Sequence, residues 1–140
     1  MRPQRLKLRK SSRARTRTVL ALFDTGSEEG LIRESSAAGL IHQPLAEPIR
    51  LGGIGGGVAP VNEAAEFFLR IFSKWCRYRA YIVQDDAVDV DLLVGEDFLL
   101  KYGLRVNPRR NRVEVESALQ FKRMTQRTIF VASPRSLVRK

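Results

Sequence analysis

The sequence predicts an all-β domain carrying one or two short helices. Three observations lead there. Short apolar or alternating runs bounded by turn residues recur along most of the chain. A glycine-rich stretch, Leu51-Gly52-Gly53-Ile54-Gly55-Gly56-Gly57, separates two of them. One segment near residue 100 combines an acidic start with a terminal glycine, the signature of a short helix.

Taken in order, Leu6 and Leu8 alternate with Arg and Lys, Ser11-Ser12 offers a turn, and residues 16–20 resume in β-branched and apolar residues. That pattern predicts a hairpin. Residues 19–23 form a short apolar run that ends at Asp24-Thr25-Gly26-Ser27, as a buried strand delivering a tight polar loop would. Leu31-Ile32 predicts a strand and residues 35–40 a helical turn, with Gly39 and Pro44 closing it. The glycines of 51–57 lose too much backbone entropy to sit inside a sheet, so this stretch reads as a mobile hairpin tip. Residues 67–72 and 79–83 read as paired strands, and Gln84-Asp85-Asp86 as a polar break. Residues 90–94 form a further apolar segment closed by Gly95. Glu96-Asp97 then opens the helix that Gly103 ends, and Asn107-Pro108 turns the chain between two last strands within 104–115.

A length of 140 residues suits one domain, assigned here to 1–116, followed by a basic extension, 117–140, read as a dimer-interface strand or a flexible tail. No run approaches the roughly 18 apolar residues of a membrane span, so no membrane role is expected. The net charge of +10 is uneven: residues 1–17 carry eight Lys or Arg and residues 119–140 six, with no acid in either, while 18–118 is net −4. Such ends attract nucleic acid or other anionic surfaces, although few aromatics interleave with the arginines and no recognition motif is present. An acid-free, Arg-rich start is also a feature of organelle transit peptides, but the hairpin pattern makes it part of the fold. The single Cys76 can form no internal disulfide and has no metal-binding cluster around it. It reads as a small half-buried thiol and fits a reducing compartment such as the cytoplasm.

Chemistry is concentrated at Asp24. Alone, Asp24-Thr25-Gly26-Ser27 also reads as an Asx-type turn at a strand end. With Ala21-Leu22-Phe23 before it, however, it resembles the catalytic loop of aspartic peptidases. Two further motifs follow in the same order as in retroviral and gypsy-type retrotransposon proteases: Gly52-Gly53-Ile54-Gly55-Gly56, similar to their glycine-rich flap, and Leu92-Leu93-Val94-Gly95 leading into the Asp97 helix. The resemblance to this retropepsin-like family covers about residues 5–116. Glu28-Glu29 directly after the loop, the extra Gly57 and residues 117–140 depart from it.

The resemblance implies a closed, barrel-like retropepsin fold and an aspartic endopeptidase. Asp24, Thr25 and Gly26 would be catalytic, Ser27 would support the carboxylate by a hydrogen bond, and residues 52–56 would be the substrate-covering flap. Val94, Gly95 and Asp97 would be structural residues near the site. Peptide hydrolysis needs a base for water and an acid for the departing amide, and two carboxylates sharing one proton supply both. One chain has one such loop, so the second must come from a symmetry mate. The expected partners are therefore a second copy and a peptide or polyprotein substrate, with no metal or cofactor. Nucleic acid at the basic termini is the less expected partner. Two rivals are a catalytically silent dimerisation or peptide-binding module of the same fold, and a basic nucleic-acid-binding protein. His42 reads as a surface residue, and Asp85, Asp86, Asp89 and Asp91 as solvated charges without calcium-loop spacing.

Overall fold

The structure, a computed structural model, describes the backbone of residues 1–54 and 57–132, and the side chains of these residues except 52–54, 57–59 and 127–132. Strands β1 (Gln4–Arg9) and β2 (Arg17–Phe23) form the expected antiparallel hairpin, with Leu6 opposite Val19. Strand β2 buries Val19, Ala21 and Phe23 and turns Thr18 and Leu20 outward, the period of two that a half-buried strand requires. Next come β3 (Leu31–Arg33), the one-turn helix α1 (Glu34–Ala37), and three long strands: β4 (Ile41–Ile54), β5 (Gly57–Ile71) and β6 (Lys74–Val83). A turn of 3₁₀ helix at Asp85–Ala87 precedes β7 (Leu92–Val94), α2 (Glu96–Tyr102), and the hairpin of β8 (Leu104–Asn107) and β9 (Arg112–Val115).

Six strands close into a barrel in the order β1-β2-β7-β3-β6-β5. The β1–β5 pairs Leu8 with Leu69 and Arg9 with Phe68 complete the ring. Two of the pairings, β2–β7 and β3–β6, are parallel, and β4 extends the sheet beyond β5. Inside lie Leu8, Ala21, Ile32, Leu69, Leu92 and Val94, all with no measurable exposure. Helix α2 covers this core with Phe98, Leu99 and Tyr102, and ends where Gly103 takes the left-handed conformation and donates its N–H to Leu99.

Three expectations change. The glycine-rich segment joins β4 to β5 as an antiparallel hairpin, as expected, with Ile54 opposite Gly57, but Gly52, Gly53 and Ile54 are part of strand β4 itself; Gly55 and Gly56 lie outside the described residues. Glycine is tolerated here because β4 has a neighbour on one side only, β5, so the strand has one ladder to satisfy. Cys76 is fully buried rather than half-buried. The C-terminal segment is neither strand nor loose tail over 118–132: it is helix α3 (Ala118–Ala132), and residues 133–140 lie outside the described residues. Ser117 starts it by accepting the Gln120 N–H at 3.2 Å on its hydroxyl and the Phe121 N–H at 3.0 Å on its carbonyl. Phe121 and Met124 then pack on the core, and Thr125, 3% exposed, donates its hydroxyl to the Phe121 carbonyl at 2.8 Å.

Candidate active site

The parallel pairing of β2 with β7 builds the site. Ala21 pairs with Leu92 and Phe23 with Val94, so both strands end side by side and hand the chain to Asp24 and Gly95. The Asp24 N–H donates to the Val94 carbonyl at 2.9 Å, extending the ladder by one bond. The chain then turns sharply. The Gly26 N–H donates to Asp24 Oδ1 at 2.8 Å and the Ser27 N–H to the Asp24 carbonyl at 3.2 Å, an Asx turn that fixes one carboxylate oxygen. The first N–H groups of a helix have no partner within it. Here two of those at the start of α2 find theirs in the loop: Glu96 N–H donates to the Ser27 carbonyl at 2.8 Å and Asp97 N–H to the Glu28 carbonyl at 3.1 Å. Asp24 is half-buried, and Thr25 and Gly26 are exposed at the end of the barrel.

Ser27 does not take the role expected of it. Its hydroxyl donates to the Glu29 carbonyl at 2.8 Å, because the turn brings the Gly26 N–H, not the serine side chain, against the Asp24 carboxylate. Val94 and Gly95 are buried against the loop, and Asp97 stands at the start of α2.

Sequence reading missed Tyr78. Its hydroxyl accepts the Gly95 N–H at 3.1 Å and donates to Asp97 Oδ1 at 2.8 Å, tying β6, the end of β7 and α2 into one unit. Asp97 Oδ1 also takes the Phe98 N–H at 2.8 Å. Burial raises the phenol's pKa well above its ordinary value; the Gly95 N–H opposes this, and the Asp97 and Glu29 carboxylates add to it, so the group remains a donor. Two glycines make room. A Cβ on Gly30 would run into the Tyr78 hydroxyl, and one on Gly95 would come within 2.6 Å of the Glu29 carbonyl carbon. A glycine at the start of the apolar β3 segment, where no turn demands one, is the signal from which this close approach was readable.

No protein family and no curated protein matches the chain by sequence. Solved structures do match its shape. The retroviral protease-like domain of Ddi1 from Leishmania major superposes with a TM-score of 0.59 at 15% identity, covering 84% of this chain and 90% of that one. The protease of EIAV, solved with the inhibitor HBY-793, gives a TM-score of 0.55 at 15% identity, covering 75% of this chain and 90% of that one. The fold is retropepsin-like.

On this retropepsin-like barrel a second apolar cluster, separate from the main core, lies under the β4–β5 hairpin. Leu31, Val61 and Val83 form it, with Ile49, Leu51 and Leu93 packed around them. It reaches the Asp24 loop through the Leu31–Leu93 pair, one residue from Val94. A cavity of about 250 Å³ adjoins this cluster, lined by Leu51, Val61, Glu63, Ile82, Val83 and Ala87, and Asp24 is not among its walls. His42 donates to or accepts nothing from Asp24; its Nε2 is 2.8 Å from the Ala37 carbonyl. Asp85 accepts the Ser35 N–H at 2.9 Å, and Asp91 accepts the Leu20 N–H at 2.8 Å and pairs with Arg33 at 3.8 Å, so both serve loop anchoring. Burial pushes the Cys76 thiol up to about 12, where it is unreactive. No cluster of three or more His, Cys, Asp or Glu suited to a metal occurs among the described residues.

Proposed function

We propose that the chain is one subunit of an aspartic endopeptidase, in which Asp24 from each of two copies shares one proton and activates one water. The observation that carries this reading is the Asp24-Thr25-Gly26 turn, with its carboxylate oriented by Gly26, at the exposed end of β2 in a retropepsin-like barrel. Two carboxylates about 3 Å apart do not both ionise readily, the behaviour known for aspartic peptidase pairs. The ionised one takes a proton from water as it attacks the peptide carbonyl. The protonated one hydrogen-bonds the carbonyl oxygen, and the amide nitrogen is protonated as the C–N bond breaks. Thr25 and Gly26, exposed in the single chain, are the residues a second copy would meet. An extended peptide would lie between the Asp24 loops and the β4–β5 hairpin, with residues 52–56 covering it and the half-buried Ile49, Leu51 and Leu93 offering apolar walls.

The test is incubation with a mixed peptide library at acidic and near-neutral pH, beside Asp24→Asn, over a dilution series. Cleavage by the native chain alone is expected, with activity per subunit falling as dimers dissociate. Activity independent of concentration in a protein that sediments as a monomer overturns the half-site scheme.

A further inference from the structure

Residues of both basic ends of the sequence lie against the β5–β6 hairpin, Arg9 from one and Phe121 from the other. Strand β1 closes the barrel beside β5, and Arg5, Lys7 and Arg9 point away from the core on the face opposite to Leu6 and Leu8. Arg9 stands opposite Phe68, and its guanidinium stacks on Trp75 with 3.9 Å between Cζ and the ring centroid. Arg70, paired with Trp75 across β5 and β6, lies 5.9 Å from the same ring. At the turn joining these strands Phe72 is 57% exposed and meets Phe121 of α3 edge-on at 5.9 Å. The residues after Phe121 are Lys122 and Arg123, both exposed. The aromatics that did not interleave with the arginines in sequence do so in space.

This surface is cationic without compensation. Among the described residues none of Arg9, Arg70 and Lys74 forms an ion pair; the ion pair nearest to them along β5 and β6 is Arg77 with Glu66 at 2.9 Å. Arg9 Nε is buried with no hydrogen-bond partner, and two guanidinium groups crowd one indole. Burial, and after it the charge of Arg70, lowers the pKa of Arg9, and a bound anion would offset both.

We infer that the surface formed by β1, the β5–β6 hairpin and the start of α3 binds single-stranded nucleic acid. Arg9 and Arg70 hold phosphates on the outer face of the sheet, Lys74 adds a cation where β6 leaves the turn on its other face, and Phe72 and the Arg9–Trp75 stack present planar faces to bases. Cations alternating with rings are what a single strand uses, since phosphates supply the affinity and bases stack on aromatic or guanidinium planes. The surface is remote from Asp24. In the β1–β2 hairpin Leu8 pairs with Arg17 and Gln4 with Ala21, so Arg9 and Asp24 lie at opposite ends, roughly 20 Å apart along β2.

The test is fluorescence anisotropy of the full chain with labelled oligothymidylate, the matching duplex and phosphatidylserine vesicles, each over a salt series. The native chain is expected to bind the single strand best, with affinity falling as salt rises. Arg70→Gln with Lys74→Gln, both exposed, should weaken binding about tenfold and make the log–log salt slope shallower by about 1.4, at about 0.7 per lost phosphate contact. Phe72→Ala should weaken it about tenfold with the slope unchanged, which separates stacking from charge. Asp24→Asn should bind like the native chain, so loss of peptidase activity and loss of nucleic-acid binding are independent results. Tighter binding to the duplex or to vesicles, no binding at low salt, or full binding by the folded charge variants overturns the inference.

Discussion

The two ends of the β1–β2 hairpin are built on different principles. At one end the Asp24 loop is held by main-chain bonds: Asp24 to Val94, Glu96 to Ser27, Asp97 to Glu28, with the carboxylate itself on the Gly26 N–H. Its acids are Asp24, Glu28, Glu29, Glu96 and Asp97. At the other end, around Arg9 and Trp75, side chains stack on side chains and the charge is positive. A site that must hold one oxygen atom in place gains from backbone anchors, whose geometry does not shift with rotamers. A surface that needs charge and flat faces can be made from side chains alone and will tolerate substitution.

That contrast can be broken most severely at Asp24. On the proposed function, Asp24→Asn keeps the side-chain shape but removes one carboxyl of the pair, so turnover should fall below detection with the thermal midpoint nearly native. Measurable cleavage by the pure variant would remove the catalytic assignment. Gly95→Ala should come next. Its Cβ meets the Glu29 backbone, which cannot swing away as a side-chain tip would, and overpacking of this kind costs about 1–3 kcal/mol. The urea midpoint reads this loss, and an unchanged midpoint would show that the loop rides loosely on β7. Tyr78→Phe should cost about 1–3 kcal/mol, because the buried Gly95 N–H is left without its acceptor. Arg70→Gln at the other end should stay within about 0.5 kcal/mol of native. Equal losses at the two positions would erase the distinction between a backbone-built and a side-chain-built end.

The smallest effect belongs to neither end and calibrates both. The Ser35 N–H holds the exposed Asp85 carboxyl below its usual range. A depressed folded pKa gives stability that is present above the unfolded value and is lost as pH falls through the folded one. The thermal midpoint of Asp85→Asn should therefore lie slightly below native at neutral pH and converge with it in acid.

Much of this was legible in the residues. The alternation of Leu6 and Leu8, the apolar run ending at Asp24, and the Glu96-to-Gly103 helix each carry a local pattern, and each lies where the pattern put it. What could not be read is what depends on closure of the barrel. Tyr78 lies within a strand whose inward alternation makes it look like any core aromatic; its role exists only because Gly95 and Asp97 are brought over it. The extent of β4 escaped because glycine content argues about the backbone's freedom, not about whether an edge strand has a partner. Helix α3 escaped because Lys122 and Arg123 interrupt its apolar contact, Phe121 and Met124, whose target exists only once the barrel has folded.

Closure has a further consequence for the chain as it is made. Leu8 waits for Leu69, about sixty residues later, before its strand has a neighbour on that side. Until then the nascent β1–β2 hairpin leaves the ribosome with a bare edge, a template for pairing with the same hairpin on another emerging chain. Arg5, Lys7 and Arg9 place a cation at every second position of that edge strand. Such gatekeepers make two waiting hairpins repel each other, keeping the seam free for the strand that belongs there.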